Sequence, residues 1–234
     1  RNALYVWTDT SLFTMRFVGS PFTFAYEQVG TNCGLIGKNA AVEVDGAAYW
    51  MSDNGFFRFT GKLESMDCFV EDYVYDDLNT TSNQFIYCGI NNLFGEVMWF
   101  YPTSASNVVD RCVIYSYLDS TANRPIWFTN ASTTFPRSAW IDSAIFGLPH
   151  ATQYDAGTDA SFDVTGNTDG TTIYYEHETG VNQIKGGVTT AIAANIISGD
   201  FDITQDQKQG ITFRGDGEHI MRVSRFLPDF ITQA

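Results

Sequence analysis

EVMWFYPTSASNVVDRCVIYSY, residues Glu96–Tyr117, is the stretch that decides the fold class of this chain. Two runs of aromatic and β-branched residues, Val97–Tyr101 and Cys112–Tyr117, flank a polar link, Pro102–Asp110. Residues of these types favour strands, and a turn-rich link between two such runs is typical of a β-hairpin. The stretch therefore predicts two antiparallel strands joined by a longish loop.

Strand patterns of the same kind run along the rest of the chain. Ala41–Gly61 is the clearest, because Asp45-Gly46 and Asp53-Asn54-Gly55 are hairpin turn signals that predict a three-stranded meander. The other predicted strands are Ala3–Val18 (two strands with a turn at Thr8–Ser11), Phe22–Gln28, Gln84–Gly89, Ile126–Phe128, Ser138–Ile145, Ala151–Tyr154, Thr171–Glu176, Val188–Ile197, Phe201–Ile203 and Ile220–Phe226. Asp155–Gly170 is rich in Gly, Thr and Asp and predicts a surface loop.

One segment, Met66–Asn79, departs from the strand pattern. Its apolar residues fall near helical spacing, with the acidic residues elsewhere. These apolar residues are Met66, Phe69, Val70, Tyr73, Val74 and Leu78. The spacing predicts one short amphipathic helix. Val188–Ile197 fits either a strand or a helix, and the glycines on both sides of it favour a strand.

Repetition along the chain indicates the architecture. Trp7, Trp50 and Trp99 end strand patterns about 45 residues apart, and Tyr174 opens a comparable strand after a longer gap. A period of about 40–50 residues, with about four short strands in each unit, is typical of a β-propeller blade. We therefore expect an all-β, β-propeller-like array of antiparallel meanders with one short helix, in a single domain over residues 1–234. A β-sandwich or irregular barrel with long insertions is the alternative.

The net charge of the chain restricts the classes of molecule that it can bind. Lys and Arg number 13 against 27 Asp and Glu, for a formal net charge of −14. Proteins hold phosphate backbones by neutralising them with Lys and Arg, and no cluster of these residues occurs here. The composition therefore argues against specific nucleic-acid binding. No apolar run approaches the roughly 20 residues that a membrane helix needs, so we expect no membrane insertion. Because a strand pattern begins at once, without a signal peptide, we expect the chain to be part of a longer protein.

The cysteines predict no metal site. Cys33, Cys68, Cys88 and Cys112 lie 20 or more residues apart, and none has a partner at zinc-ligand spacing. We expect buried free thiols, with a disulfide or metal role as the less favoured alternative. Free thiols fit assembly in a cytoplasm better than secretion.

The common sequence motifs of catalysis are absent. The chain contains no nucleophile elbow, zincin motif, P-loop or dinucleotide-binding fingerprint. His150, His177 and His219 are scattered, and we expect each in a turn or on the surface. Carboxylates such as Glu71/Asp72 and Asp76/Asp77 could supply a glycosidase pair, but the solvent-facing side of a helix accounts for them better. We therefore predict no catalytic residue, no metal ligand and no cofactor.

Taken in order, these segments resemble the tail-nozzle, or tail tubular protein B, family of short-tailed bacteriophages and the related neck and DNA-stabilising virion proteins. The likeness spans nearly the whole chain and rests on the order of the segments. They are LYVWTDTSLFTMRFVGSPFTF (Leu4–Phe24), AAYWMSDNGFFRFTGKLESMDCFVEDYVYDDLN (Ala47–Asn79), the hairpin Glu96–Tyr117, SAWID (Ser138–Asp142), IYYEHETG (Ile173–Gly180) and SGDFDI with MRVSRFLPDF (Ser198–Phe230). Asp155–Gly170 and Gln205–Gly217 are longer than the family pattern and are interpreted as surface insertions.

The resemblance implies a propeller-like protomer in a ring, commonly a hexamer, that touches tail adaptor and fibre proteins. Phage DNA would pass through this ring in the virion tail without specific binding, and such proteins are not enzymes. Two alternatives stay open: a propeller that binds or hydrolyses host-surface polysaccharide, and a neck or DNA-stabilising protein of the same family. We expect Pro102–Asp110 to be a contact loop. We expect Trp50, Phe56, Trp99, Tyr101, Trp140 and Tyr174 in the core.

Overall fold

The computed structural model describes residues 3–121, 124–129, 137–155, 171–180, 182–185 and 188–191. They belong to two compact units, one ending at Thr179 and the other beginning at Gly180. The first unit holds four antiparallel sheets of three or four strands, and the second holds a two-stranded hairpin. The expected all-β fold is confirmed, while the single domain over the whole chain stays a prediction.

Each sheet is made of strands that follow one another in the chain. Sheet 1 contains β1 (Ala3–Trp7), β2 (Ser11–Phe17) and β3 (Phe24–Thr31), and sheet 2 contains β4 (Ala41–Val44), β5 (Ala47–Ser52), β6 (Gly55–Phe59) and β7 (Leu63–Met66). Sheet 3 contains β8 (Tyr87–Asn91), β9 (Glu96–Tyr101), β10 (Arg111–Ser116) and β11 (Trp127–Thr129), and sheet 4 contains β12 (Ala139–Ile141), β13 (His150–Asp155) and β14 (Thr171–Glu176). The hairpin of the second unit pairs β15 (Asn182–Lys185) with β16 (Val188–Ala191). Because spatial order equals chain order in every sheet, each one is a meander.

The turn signals of the sequence set the strand pairing. Asp45 and Gly46 have φ of +49° and +79°, and they join β4 to β5 with Val44 opposite Ala47. Two residues with positive φ form the type of turn that matches the right-handed twist of paired strands. The hairpin predicted over Glu96–Tyr117 is present as well. Its strands β9 and β10 pair from Glu96 opposite Ser116 to Tyr101 opposite Arg111.

A separate hydrophobic core lies between each pair of consecutive sheets. Because side chains alternate between the two faces of a strand, the sheets in the middle contribute to two cores. Sheets 1 and 2 share a core that includes Leu12, Trp50 and Phe57. Sheets 2 and 3 share the largest core, around Phe56 and Trp99, whose ring centroids lie 4.9 Å apart. The core on the other face of sheet 3 includes Met98, Phe100 and Cys112, with Trp140 of β12 packed against it.

Three tryptophan side chains bind the backbone of neighbouring segments through hydrogen bonds. Trp50 Nε1 donates to the Cys33 carbonyl at 2.9 Å, and Trp99 Nε1 donates to the Ala40 carbonyl at 3.1 Å. Trp140 Nε1 of sheet 4 donates to the Ile90 carbonyl of sheet 3 at 2.7 Å. A buried indole N–H needs such an acceptor, because leaving it unpaired costs about 1–3 kcal/mol.

The first strands of sheets 2, 3 and 4 lie side by side. β4 neighbours β8, and β8 neighbours β12. Cys88 N, at the start of β8, donates to the Asn39 carbonyl just before β4 at 2.8 Å. Gly89 permits the close approach of sheet 4, since a Cβ there would lie 2.7 Å from Trp140 Cδ1.

The predicted helix over Met66–Asn79 is much shorter in the structure. Only Glu71–Tyr75 forms an α-helix (α1), and a 3-10 segment follows over Thr80–Phe85. Met66 instead ends β7, where it pairs with Phe56 of β6. Of the described helices, none combines the length and the apolar composition needed to cross a bilayer.

Four of the six expected core residues are confirmed and one is wrong. Trp50, Phe56 and Trp99 are fully buried, and Tyr101 is 1% exposed. Trp140 is only partly buried, at the edge of its core. Tyr174 is 62% exposed, because β14 turns the neighbouring Tyr175 toward the protein interior instead.

Several predictions fall outside the described residues. They are the loop over 156–170, the second half of the strand predicted at Val188–Ile197, the strands at Phe201–Ile203 and Ile220–Phe226, the insertion Gln205–Gly217 and His219.

Candidate functional site

The polar link Pro102–Asp110, the expected contact loop, is fastened at both of its ends. The Asp110 carboxylate accepts hydrogen bonds from Thr103 N at 2.8 Å and from Thr103 Oγ1 at 2.7 Å. Asn79 Nδ2 donates to the Ser106 carbonyl at 2.8 Å, and Ser104 N donates to the Asp77 carbonyl at 2.7 Å. The loop is therefore held against the segment that follows α1.

Only the tip of this loop is open to a partner. Ser104, Ala105 and Asn107 are exposed, whereas Pro102 and Thr103 are buried. A small, polar and preorganised tip can form directional hydrogen bonds at low entropic cost. Its role as a contact loop stays a prediction.

Sheet 4 holds a polar cluster that the sequence did not indicate. Arg137 is 5% exposed, and its Nε donates to His177 Nε2 at 3.0 Å. Its guanidinium lies 4.1 Å from the centre of the Tyr175 ring, within the range of a cation–π contact. His150 stacks on Tyr174, and its Nδ1 lies 2.5 Å from the Tyr174 hydroxyl. The expectation of surface or turn histidines is therefore wrong for His150, which lies in β13 and is 9% exposed, whereas His177 is half-buried in the connection that follows β14.

The electrostatics of this cluster keep His177 neutral. Burial, with the Arg137 charge next in importance, lowers the pKa of His177 to about 4. Because the guanidinium donates to Nε2, the imidazole uses that lone pair as an acceptor. His177 thus serves as a hydrogen-bond acceptor for Arg137, and it has no proton to give from Nε2 at neutral pH.

Two carboxylates from distant parts of the chain share one amide group. Asn91 is 2% exposed, and its Nδ2 donates to Glu96 Oε2 and to Glu178 Oε1, each at 3.3 Å. Burial raises the pKa of Glu96, and the nearby Glu178 carboxylate raises it further. Glu178 is largely exposed, and the partial burial of its carboxylate raises its pKa as well. This shared amide ties sheet 3 to the end of sheet 4.

The carboxylates around α1 differ in their exposure to solvent, although all were expected to be exposed. Asp72 and Asp76 are exposed, as the solvated helix face predicts, but Glu71 and Asp77 are half-buried. Burial raises the pKa of Glu71. Asp77 forms an ion pair with Arg111, with Oδ2 lying 3.7 Å from the guanidinium. Across the described ranges, no three His, Cys, Asp or Glu side chains are grouped so that they could hold a metal ion.

All four cysteines are free thiols, as expected. Cys33 and Cys112 are buried, whereas Cys68 and Cys88 are partly exposed. Burial raises the pKa of the Cys68 thiol to about 12 and that of Cys112 well above its usual value. A thiol with a raised pKa is a poor nucleophile, because the thiolate is the reactive form.

Two comparisons with known proteins gave no match for the chain. No protein-family model matches it, and no curated protein matches its sequence.

No sequence pattern predicted the polar cluster of sheet 4. His150 and His177 lie 27 positions apart and approach each other only because β13 pairs with β14, with His150 opposite Glu176. The shared amide of Asn91 joins residues 87 positions apart, through contact between two sheets. Strand alternation could have placed the two histidines near one sheet end, but only if the pairing register were known.

Proposed function

We propose that this chain is a structural component of a phage tail, a nozzle or tube protein that forms part of the conduit for DNA ejection and catalyses no reaction. The observation that carries the proposal is the run of four consecutive meanders, each packed on the next through its own core. The side-by-side first strands β4, β8 and β12 support a propeller-like arrangement, in which blades follow chain order around a centre. The ordered likeness to the nozzle family points the same way.

The acidic composition supports a passage for DNA. With 27 carboxylates and 13 Lys and Arg residues, half or more of the carboxylates have no cation of their own to pair with. Such a surface repels phosphate groups, and the Debye length of about 8 Å at physiological salt lets this repulsion act close to a wall. A conduit benefits, since the genome slides past a wall that does not hold it.

The proposed partners follow from this role. Copies of the chain form a ring, commonly a hexamer, which touches the tail adaptor and fibre proteins in the virion. The buried cores and the many hydrogen bonds between neighbouring sheets suit a wall that must keep its shape while DNA moves through it.

Electron microscopy of the purified chain and of particles that contain it tests the proposal. We expect rings of the isolated chain, and antibody labelling at the tail of the particle. Labelling at the neck would favour the neck or DNA-stabilising role instead. A strictly monomeric chain that is absent from the tail and hydrolyses a polysaccharide would refute the proposal.

One observation favours the polysaccharide alternative enough to test it. Glycosidases use two carboxylates about 5–10 Å apart, one of them with a raised pKa. Glu96 and Glu178 both bind the Asn91 amide, so their carboxylates lie close together, and the pKa of each is raised. Incubation of the chain with bacterial surface polysaccharide should release no reducing sugar. If sugar is released, and if Glu96→Gln and Glu178→Gln each abolish the release, the alternative replaces the structural role.

A further inference from the structure

Sheet 1 has two faces of different character. Its inner face packs on sheet 2, since the Tyr5 ring lies 5.5 Å from that of Phe59 and the Trp7 ring lies 5.6 Å from that of Trp50. Residues that pair across strands share a face, so the register assigns the opposite side chains to the outer face. These are Leu4, Val6, Phe13, Met15, Phe17, Phe24, Tyr26 and Gln28.

This outer face is uncharged and, apart from Gln28, apolar, yet much of it is exposed to solvent. Leu4 is 57% exposed, Phe17 69% and Tyr26 65%. Val18, Phe22 and Phe24, in or beside the β2–β3 connection, are also exposed. We call this set of residues, the outer face together with Val18 and Phe22, the sheet 1 patch. Val6, Phe13 and Met15, in the middle of this face, are partly exposed.

A second apolar area lies on sheets 3 and 4. The β8–β9 turn approaches both Leu118 and residue 142, because a Cβ on Gly95 would meet Leu118 and Asn92 N donates to the Asp142 carboxylate at 2.6 Å. Large exposed side chains lie in this turn and in the two segments that it approaches. They are Leu93, Phe94, Leu118, Ile141, Ile145 and Phe146, and we call them the tip patch.

The area of each patch matches what an interface requires. Six half-exposed or more exposed large side chains present about 600–900 Å² of apolar surface, at roughly 100–150 Å² each. The largest patch on an ordinary monomer is about 300–600 Å². One partner in a standard protein–protein interface contributes about 800 Å². Both patches therefore have the size of an interface half.

The charge of the chain favours a second copy as the partner that covers the sheet 1 patch. Two copies with a net charge of −14 repel each other over most of their surfaces. The sheet 1 patch has no charged side chain, so it can approach the tip patch, which adjoins the Asp142 carboxylate, without bringing carboxylates of both copies together. Two different patches on one chain also satisfy the requirement of a ring, in which each copy presents one surface and receives another.

We infer that the sheet 1 patch of one copy binds the tip patch of a second copy, head to tail. This inference names the contact within the proposed ring and rests on that proposal. In this interface the aromatic side chains of the sheet 1 patch pack against the aliphatic and aromatic side chains of the tip patch.

Paired variants test the contact. Phe17→Glu with Tyr26→Glu places charges in the sheet 1 patch, and Leu118→Glu with Phe94→Glu places them in the tip patch. Phe69→Glu is the matched control, because Phe69 has the same 69% exposure as Phe17 but belongs to neither patch. Sedimentation velocity of the full chain measures assembly, and thermal melting of each variant within a few degrees of the wild type shows that it is folded.

We expect the wild type and Phe69→Glu to assemble alike, and each double variant to assemble at least about ten-fold more weakly. A mixture of the two double variants should form a dimer, since each supplies the patch that the other lacks. Rings formed by either double variant would overturn the inference and leave the proposed function standing. A mixture that stays monomeric would overturn the head-to-tail pairing. A wild type that is monomeric at all concentrations would overturn the inference together with the ring.

Discussion

Tyr75→Phe removes one oxygen atom from the interior and should loosen the junction of α1 with sheet 2. The Tyr75 hydroxyl lies 2.6 Å from the Ser52 carbonyl, to which it donates, and it accepts from Gly55 N at 3.1 Å. Ser52 and Gly55 close the turn between β5 and β6, so one hydroxyl connects the helix to this turn. Burial raises the pKa of Tyr75, so the group remains protonated and able to donate.

The magnitude follows from the two hydrogen bonds that are lost. Each buried bond contributes about 0.5–1.5 kcal/mol, and a partner left unsatisfied costs about 1–3 kcal/mol. We therefore expect a loss of about 1–3 kcal/mol in the free energy of unfolding. For a chain of this size, each kcal/mol lowers Tm by roughly 2–4 °C. The ring itself stays in place, so no cavity term is added.

Urea unfolding followed by circular dichroism measures this loss, and calorimetry gives the change in Tm. Tyr73→Phe is the control, because Tyr73 lies in the same helix, is 42% exposed, and has a hydroxyl whose hydrogen bond from Arg111 is exposed to solvent. A surface change of this kind should alter stability by less than about 0.5 kcal/mol. If Tyr75→Phe unfolds at the same urea concentration as Tyr73→Phe, the junction does not depend on this hydroxyl and the reasoning fails.

Three other substitutions test separate parts of the structure. Gly34→Ala should prevent soluble expression, because its Cβ would lie 2.0 Å from the Asp9 carbonyl oxygen, which belongs to the backbone and cannot move aside. The Tm of the wild type should fall between about pH 6.5 and pH 4, because the pKa of His177 is lowered in the folded chain and the unfolded chain therefore binds a proton at higher pH. His177→Gln should reduce this fall. Glu178→Gln should raise Tm at pH 7 but not near pH 4, because the raised pKa of Glu178 stabilises the fold only while it is protonated and Gln keeps an acceptor for Asn91.

Each of these expectations has a contrary outcome. Normal yield and melting of Gly34→Ala would show that the two backbone segments are farther apart than the structure has them. A His177→Gln variant whose Tm falls as steeply with acid as that of the wild type would exclude a buried neutral imidazole. A Glu178→Gln variant that is less stable at pH 7 would mean that the ionised carboxylate is the stabilising form.

The sequence predicted most of the strands because their signals are local. Asp45-Gly46 adopts positive φ at both positions, a conformation that these residue types favour, so the turn and the register of its strands follow from two residues. Burial of Trp50 and Trp99 follows equally from large apolar side chains in strand patterns. Local chemistry and global packing agree at these positions.

The wrong predictions concern features that depend on tertiary packing and strand register, which a local sequence pattern does not determine. Phe69, Tyr73 and Val74 belong to one predicted helical face, yet Phe69 and Tyr73 are exposed while Val74 is buried. Met66 is part of β7, and the α-helix extends only over Glu71–Tyr75, so Phe69 lies outside it. In β14, Tyr174 and Tyr175 are chemically alike, and only the pairing of Tyr175 with Ala151 puts Tyr175 over Arg137 and Tyr174 outside. A shift of one residue in register would exchange the two.

The separate cores between the sheets also make the molecule easy to follow by spectroscopy. Each core has its own indole: Trp7 and Trp50 between sheets 1 and 2, Trp99 and Trp127 between sheets 2 and 3, and Trp140 beside the core between sheets 3 and 4. Indole emission shifts to longer wavelength when water reaches the ring. A variant that retains the tryptophans of a single core would therefore report the opening of one sheet junction alone, and would show whether the four sheets separate together or one after another.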